Sequence, residues 1–243
     1  MLELGKTYSM KKVISLMACL TLSVNAFANE NPHQFSVNDV TQTSLLPLTT
    51  TEGSSVNVDK KDPYKMIRTV ADITFKRFSN EQSAIQKNPN ILKDIVREEL
   101  IPYINYQYAA FKVIGSNFKK TKKKERAEFV PVFRDYLITS YAQVFTLYKN
   151  QEVTFAPAKD FSDEKVVAVN TSVIEPGRPA IDISFRVRKS SKTQEWKAYD
   201  MVAEGVSLLD SKQAELSSLI RQKGLPHVTK MLKEKAQKTI FFK

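Results

Sequence analysis

Cysteine is nearly absent from this chain of 243 residues, and the one present, Cys19, lies in its first 28. A single thiol can form no internal disulfide and no zinc-thiolate cluster. Histidine is almost as scarce, with only His33 and His227. His33 lies in a polar N-terminal stretch and His227 follows Pro226 at a helix start, so neither suits the base of a Ser-His-Asp hydrolase. Six scattered glycines exclude a glycine-rich phosphate loop. No cluster of His, Asp and Glu has metal-ligand spacing. Long apolar runs are also missing. The stretch from Val13 to Leu22 is interrupted by Ser15 and Thr21 and falls short of the roughly 20 residues a spanning helix needs.

What the first 28 residues do contain is ordered. Met10-Lys11-Lys12 gives a positive start, Val13 to Leu22 an apolar stretch, and Ala26-Phe27-Ala28 a small-residue site. That is the pattern of a cleaved export signal, with Met10 as the natural start and Asn29 as the first mature residue. Leu16-Met17-Ala18-Cys19 faintly resembles a lipidation box, but the apolar run before Cys19 is short for one. Cleavage removes Cys19 and leaves a mature chain without a thiol. The full chain carries 37 basic and 26 acidic residues, a formal charge of +11. Outside the cytoplasm, such a balance favours a membrane surface, a lipid headgroup or an acidic protein over nucleic acid. The densest run is Lys119, Lys120, Lys122, Lys123, Lys124 and Arg126, which reads equally as a solvated turn or a docking patch.

Residues 29–61 are rich in Ser, Thr, Asn and Val without helical or strand periodicity, and are expected to form a disordered leader. Order is expected from Asp62-Pro63, an N-cap and first-turn proline, with Ile67, Val70, Thr74, Phe75 and Phe78 on one apolar face. Asn88-Pro89 opens a second helix to about Leu100. Tyr103 to Phe118 forms a third, ending near Gly115, and Lys122 to Lys149 a long fourth whose broad aromatic face hints at a cavity. Beyond Asn150 the period falls to two. Val153 and Phe155, Val166 to Ile174, Ile181 to Val187, and Trp196 to Val206 read as four strands joined by turns. Helices near Leu208 to Arg221 and Pro226 to Lys238 close the chain. The class is α+β: a mainly antiparallel four-stranded sheet packed on a helical layer, in one domain over residues 62–240.

Paired carboxylates at Glu98-Glu99 and Asp163-Glu164 read as solvated. Asp200 is different, because it interrupts the otherwise apolar Ala198-Tyr199-Asp200-Met201-Val202-Ala203. Its expected role is structural, accepting hydrogen bonds or pairing with an arginine. Four segments then stand in one order: Asp62-Pro63-Tyr64, Glu99-Leu100-Ile101-Pro102-Tyr103, Phe133-Arg134-Asp135-Tyr136-Leu137, and Trp196 to Ser207. In these the chain resembles the MlaC, or toluene-tolerance, family of periplasmic phospholipid carriers, from about Asp62 to Thr239. The residues 29–61 leader departs from the family pattern.

The resemblance implies a soluble shuttle in the periplasm of a Gram-negative bacterium. It would carry phospholipid between the outer-membrane MlaA-porin complex and the inner-membrane MlaFEDB transporter, through its MlaD component, and touch membrane surfaces only transiently. It implies a strongly curved sheet, an apolar cavity, no enzymatic reaction and no cofactor other than the lipid cargo. Two acyl chains hold about 28 to 32 methylenes at roughly 0.8 kcal/mol each, so a carrier must enclose nearly all of both. The expected cavity residues are Phe133, Tyr136, Leu137, Tyr141 and Phe145 on the long helix. Opposite them on the strands come Val167, Val169, Val173, Ile181, Ile183, Phe185, Val187, Tyr199 and Val202. Lys122, Lys123, Arg126, Arg134, Arg186 and Arg188 are expected at the headgroup rim or a docking surface. The rival readings are a periplasmic enzyme using Asp200 and Tyr199 in the same cavity, and a basic protein-binding module with a filled core.

Overall fold

Helix α1 (Pro63–Asn80) starts where the sequence places a cap: the Asp62 carboxylate accepts the Tyr64 and Lys65 N–H groups at 2.9 and 3.0 Å. The structure is a computed structural model that describes residues 57–149 and 151–242, and the expected export signal and most of the leader lie outside them. Packing begins ahead of Asp62. Val58 is buried, and the Lys60 carbonyl accepts the Trp196 N–H at 2.8 Å.

After α1 come α2 (Gln82–Lys87), not foreseen from the sequence, and α3 (Ile91–Ile95). The helix expected to run on to Leu100 widens into a π-helical turn over Val96–Leu100 and tightens into a 3-10 turn over Ile101–Tyr103. Pro102 has no N–H to donate, so a regular ladder cannot pass through it. Glu98 and Glu99 are not simply solvated: both carboxylates take the Arg77 guanidinium, at 2.6 and 2.7 Å, and fasten α1 to this turn. α4 (Tyr106–Ile114) and a 3-10 turn over Gly115–Lys120 follow. Gly115 has φ 57°, and a side chain there would collide with Gln213, so glycine permits both the turn and the close helix approach. α5 (Lys123–Phe145) is the longest element described.

The sheet has five strands, not four: β1 (Glu152–Phe155), β2 (Val166–Ile174), β3 (Ile181–Lys189), β4 (Trp196–Ala203) and β5 (Val206–Ser207). Each pairs antiparallel with its sequence neighbour. The extra strand arises because Glu204 and Gly205 adopt φ 49° and 78°, the left-handed pair of a tight hairpin turn, and fold the last run back on itself. In β3 and β4, Arg186 faces Asp200 while Val187 faces Ala198. Tyr199 is therefore the extra residue of a bulge, which bends β4 and raises its twist. α6 (Leu208–Lys223) and α7 (Leu225–Ala236) complete the fold.

Three apolar clusters hold these elements together. Met66, Ile67 and Val70 of α1 pack with Val167, Val169, Val187 and Trp196 of the sheet. Phe78, Leu92 and Ile95 meet Ile138 and Ala142 of α5. Ala109, Val113, Phe129 and Phe133 meet Leu216, Ile220, Val228 and Leu232 of α6 and α7. Among the described residues no helix is long and apolar enough to cross a membrane.

Candidate functional site

A cavity opens where α4, α5, α6 and β4 converge. Asn105 sets one wall: its N–H donates to the Ala198 carbonyl at 2.7 Å, while its side-chain oxygen accepts the Tyr108 N–H at 3.1 Å. One residue thus caps α4 and ties it to β4. Asp200 sets another. Its side chain is 1% exposed, and it accepts the Leu209 N–H at 3.0 Å, the Ser207 hydroxyl at 2.8 Å and Arg186 Nη1 at 3.2 Å. Ser207 Oγ in turn accepts the Asp210 N–H at 2.9 Å. The carboxylate therefore sits at the positive end of α6 with its bonds made, an anchor for the helix rather than a free acid or base.

Between these walls the cavity has a volume of about 110 Å3. Ile104, Ala109, Phe133, Leu137, Val144 and Leu209 make its apolar surface, with Tyr136, Tyr141 and Tyr199 also in the lining. Burial pushes the Tyr141 phenol up to about 12. Burial, and next Tyr108, raises Tyr199 as well. The α6 side is polar: Ser211, Lys212 and Glu215 face the same space. Lys212 is ion-paired with Glu215 and lies 5.6 Å from the centre of the Tyr136 ring. Burial pulls the Lys212 ammonium down, but Tyr136 and Glu215 outweigh it and hold its pKa above the ordinary value. No group of three or more His, Cys, Asp or Glu among the described residues could hold a metal ion.

Of the residues expected to line a cavity, Phe133, Tyr136, Leu137, Tyr141 and Tyr199 do so. Phe145 is turned away, 4.8 Å from Phe78 in the α1 cluster. Val167, Val169, Val187 and Phe185 share one sheet face, as their spacing implies, but that face packs on α1. Val173, Ile181, Ile183 and Val202 are likewise outside the lining. The sheet reaches the cavity only through Tyr199, Asp200 and Met201, because the bulge turns that stretch of β4 towards the helices.

The cations divide by role. Arg186 is bound to Asp200, and Arg188 stacks 4.1 Å from the Tyr108 ring, which meets Tyr199 edge-on at 5.1 Å. Arg134 pairs with Asp135 at 2.8 Å. Arg126 donates to the Phe118 carbonyl at 2.9 Å and to that of Thr121, and stacks 4.2 Å from the Phe118 ring, so it secures the turn before α5. Lys122 and Lys123 stand at the solvent-exposed start of α5. Sequence reading missed Lys212 and Glu215 altogether. Their three-residue spacing on an amphipathic helix looks like an ordinary solvated pair.

The family model described as "MlaC protein" matches residues 68–234. The intermembrane phospholipid transport system binding protein MlaC of Haemophilus influenzae is 34% identical over 186 residues, covering 76% of this chain and 87% of that protein. A phospholipid-binding protein from Ralstonia solanacearum, solved in complex with a phospholipid, matches in fold with a TM-score of 0.64 at 20% identity, over 72% of this chain and 97% of that one.

Proposed function

The chain belongs to the MlaC family, and from that premise we propose that it carries phospholipid through the periplasm of a Gram-negative bacterium. It exchanges cargo with the outer-membrane MlaA-porin complex and, through MlaD, with the inner-membrane MlaFEDB transporter, and so sustains outer-membrane lipid asymmetry. The observation that supports this most is the cavity itself, lined mainly by apolar and aromatic side chains, with a polar cluster of Ser211, Lys212 and Glu215 on one side. The family relationship, to a phospholipid transport binding protein, supports the same cargo.

Acyl chains pass over Phe133, Leu137 and Tyr141, and the headgroup is left to solvent. The volume of about 110 Å3 is below the roughly 150 Å3 that houses a benzene in an engineered cavity. Loading therefore requires the walls to part. α4 and α6 are fastened to β4 through Asn105 and Asp200, and α5 is fastened to the C-terminal elements through Thr139, which donates to the Ala236 carbonyl at 2.6 Å, and Gln143, which donates to that of Phe241 at 2.8 Å. Transport of this kind needs no bond to break: Asp200, the candidate acid, already has its hydrogen bonds made within the fold.

A transfer assay tests the reading. Protein loaded from vesicles with labelled phospholipid is mixed with acceptor vesicles bearing the inner-membrane transporter. Delivery that depends on this protein is expected. No delivery, from protein shown to be folded, overturns it.

A further inference from the structure

The residues that follow α7 leave two adjacent aromatic side chains in solvent: Phe241 is 55% and Phe242 38% exposed. Their backbone is not at liberty to tuck them away. Lys93 donates to the Lys238 carbonyl at 2.6 Å, and Asn90 Oδ1 accepts the Ile240 N–H at 3.0 Å. Gln143 donates to the Phe241 carbonyl at 2.8 Å and accepts its N–H at 3.4 Å. Ile240 itself is buried in the cluster of Phe78, Ile95 and Ile138. A single exposed ring needs no explanation, but an adjacent pair on a backbone clamped by side chains from the start of α3 and from α5 marks a contact surface.

The surroundings are cationic. Over residues 230–238 the chain carries Lys230, Lys233, Lys235 and Lys238 against Glu234 alone. Beside the end of α7 lies a hollow of about 250 Å3, where Lys93, Arg97 and Lys233 meet one carboxylate, Asp135. Apolar rings among cations match the interfacial zone of an anionic bilayer, which takes rings into its headgroup layer and attracts each basic side chain to its surface. A protein partner is matched less well. A stable protein interface takes about 20 to 30 residues a side, and two rings with a few lysines offer a small part of that.

We propose that Phe241 and Phe242, with Lys233 and Lys238 beside them, form the surface by which this protein rests on an anionic lipid bilayer. The inference deepens the carrier reading above by assigning the surface that meets the membrane, and it does not depend on what the cavity holds. A contact of this size releases readily, as a shuttle between membranes requires.

The test sediments the protein, after loading from vesicles, with two kinds of protein-free vesicle: equal parts phosphatidylglycerol and phosphatidylethanolamine, or phosphatidylcholine alone. The wild type is expected to bind the anionic vesicles about tenfold more tightly than the neutral ones. Phe241→Ser/Phe242→Ser removes only exposed rings and keeps the backbone bonds to Gln143. It should bind the anionic vesicles about tenfold less tightly while holding as much lipid cargo as the wild type. Lys233→Gln/Lys238→Gln should narrow the difference between the two vesicles. Phe242→Trp should show emission moving to shorter wavelength when anionic vesicles are added. A serine variant that binds like the wild type, or a wild type that binds only vesicles bearing the inner-membrane transporter, overturns the bilayer surface. A wild type that binds anionic vesicles through its rings but never holds phospholipid overturns the carrier reading and supports this one.

Discussion

Asp200 is the residue on which the carrier and enzyme readings differ most. Its carboxylate holds the first turn of α6 and the bulged stretch of β4 through three hydrogen bonds. Asp200→Asn keeps the shape but turns one acceptor oxygen into a donor facing Ser207, Arg186 or the Leu209 N–H. We expect a loss of about 2–4 kcal/mol in denaturant unfolding, with unchanged lipid content per folded molecule. Ser140 gives the opposite case. Ser140→Leu removes a buried hydroxyl without a partner and fills part of the cavity, so stability should rise by about 1 kcal/mol while bound lipid falls. Tyr141 supplies a pH signature. Its phenol, held up to about 12 by burial, stays neutral when the same group in the unfolded chain ionises near 10. Stability from this group is complete below pH 10 and is lost as pH rises towards 12. An absorbance titration of the phenolates should find a late-ionising tyrosine missing from Tyr141→Phe. The structural role of Asp200 was legible in the sequence, since a lone carboxylate in an apolar strand must be paired. Lys212 and Glu215 were not, because they meet the cavity beside residues such as Tyr136 of α5, more than 60 residues earlier in the chain.

At the scale of the element, α5 begins against its own electrostatics. Lys122, Lys123 and Lys124 crowd the positive end of the helix, where cations are unfavourable, and Glu125 offsets them in part by accepting the Lys122 N–H at 2.8 Å. Replacing the three lysines with glutamine should leave stability equal or slightly higher and lipid retention unchanged. Transfer to partner membranes should slow and lose its dependence on salt, measured as transfer rate between about 50 and 300 mM salt. Equal loss of retention and transfer would contradict a docking role. Two element boundaries followed local signals, with Asp62-Pro63 opening α1 and Gly115 ending α4, whereas the helix expected to run to Leu100 and the one expected to run to Lys149 stop at Ile95 and Phe145. Strand parity also held, with Val167, Val169, Phe185 and Val187 on one face. What that face packs against was not legible. Period-two alternation says which residues point together, and only topology decided that they meet α1 and not the cavity.

At the scale of the whole molecule, the sheet and helical layer leave a space smaller than the cargo it is proposed to hold. Ligand bound only to the folded state stabilises it by mass action. Lipid-loaded protein should therefore melt higher than protein stripped by solvent, and reloading from vesicles should restore the difference. The α+β class and the antiparallel order of the sheet were readable from the change of period after Asn150, whereas the fifth strand depended on the left-handed pair Glu204 and Gly205, and only the glycine announces such a turn. The most direct measurement is the intact mass of the protein under native conditions, after export and purification without detergent. One phospholipid per chain is expected, identified by extraction and reduced in Ser140→Leu. A mass matching the bare polypeptide, from folded protein that also takes no lipid from vesicles, would contradict it.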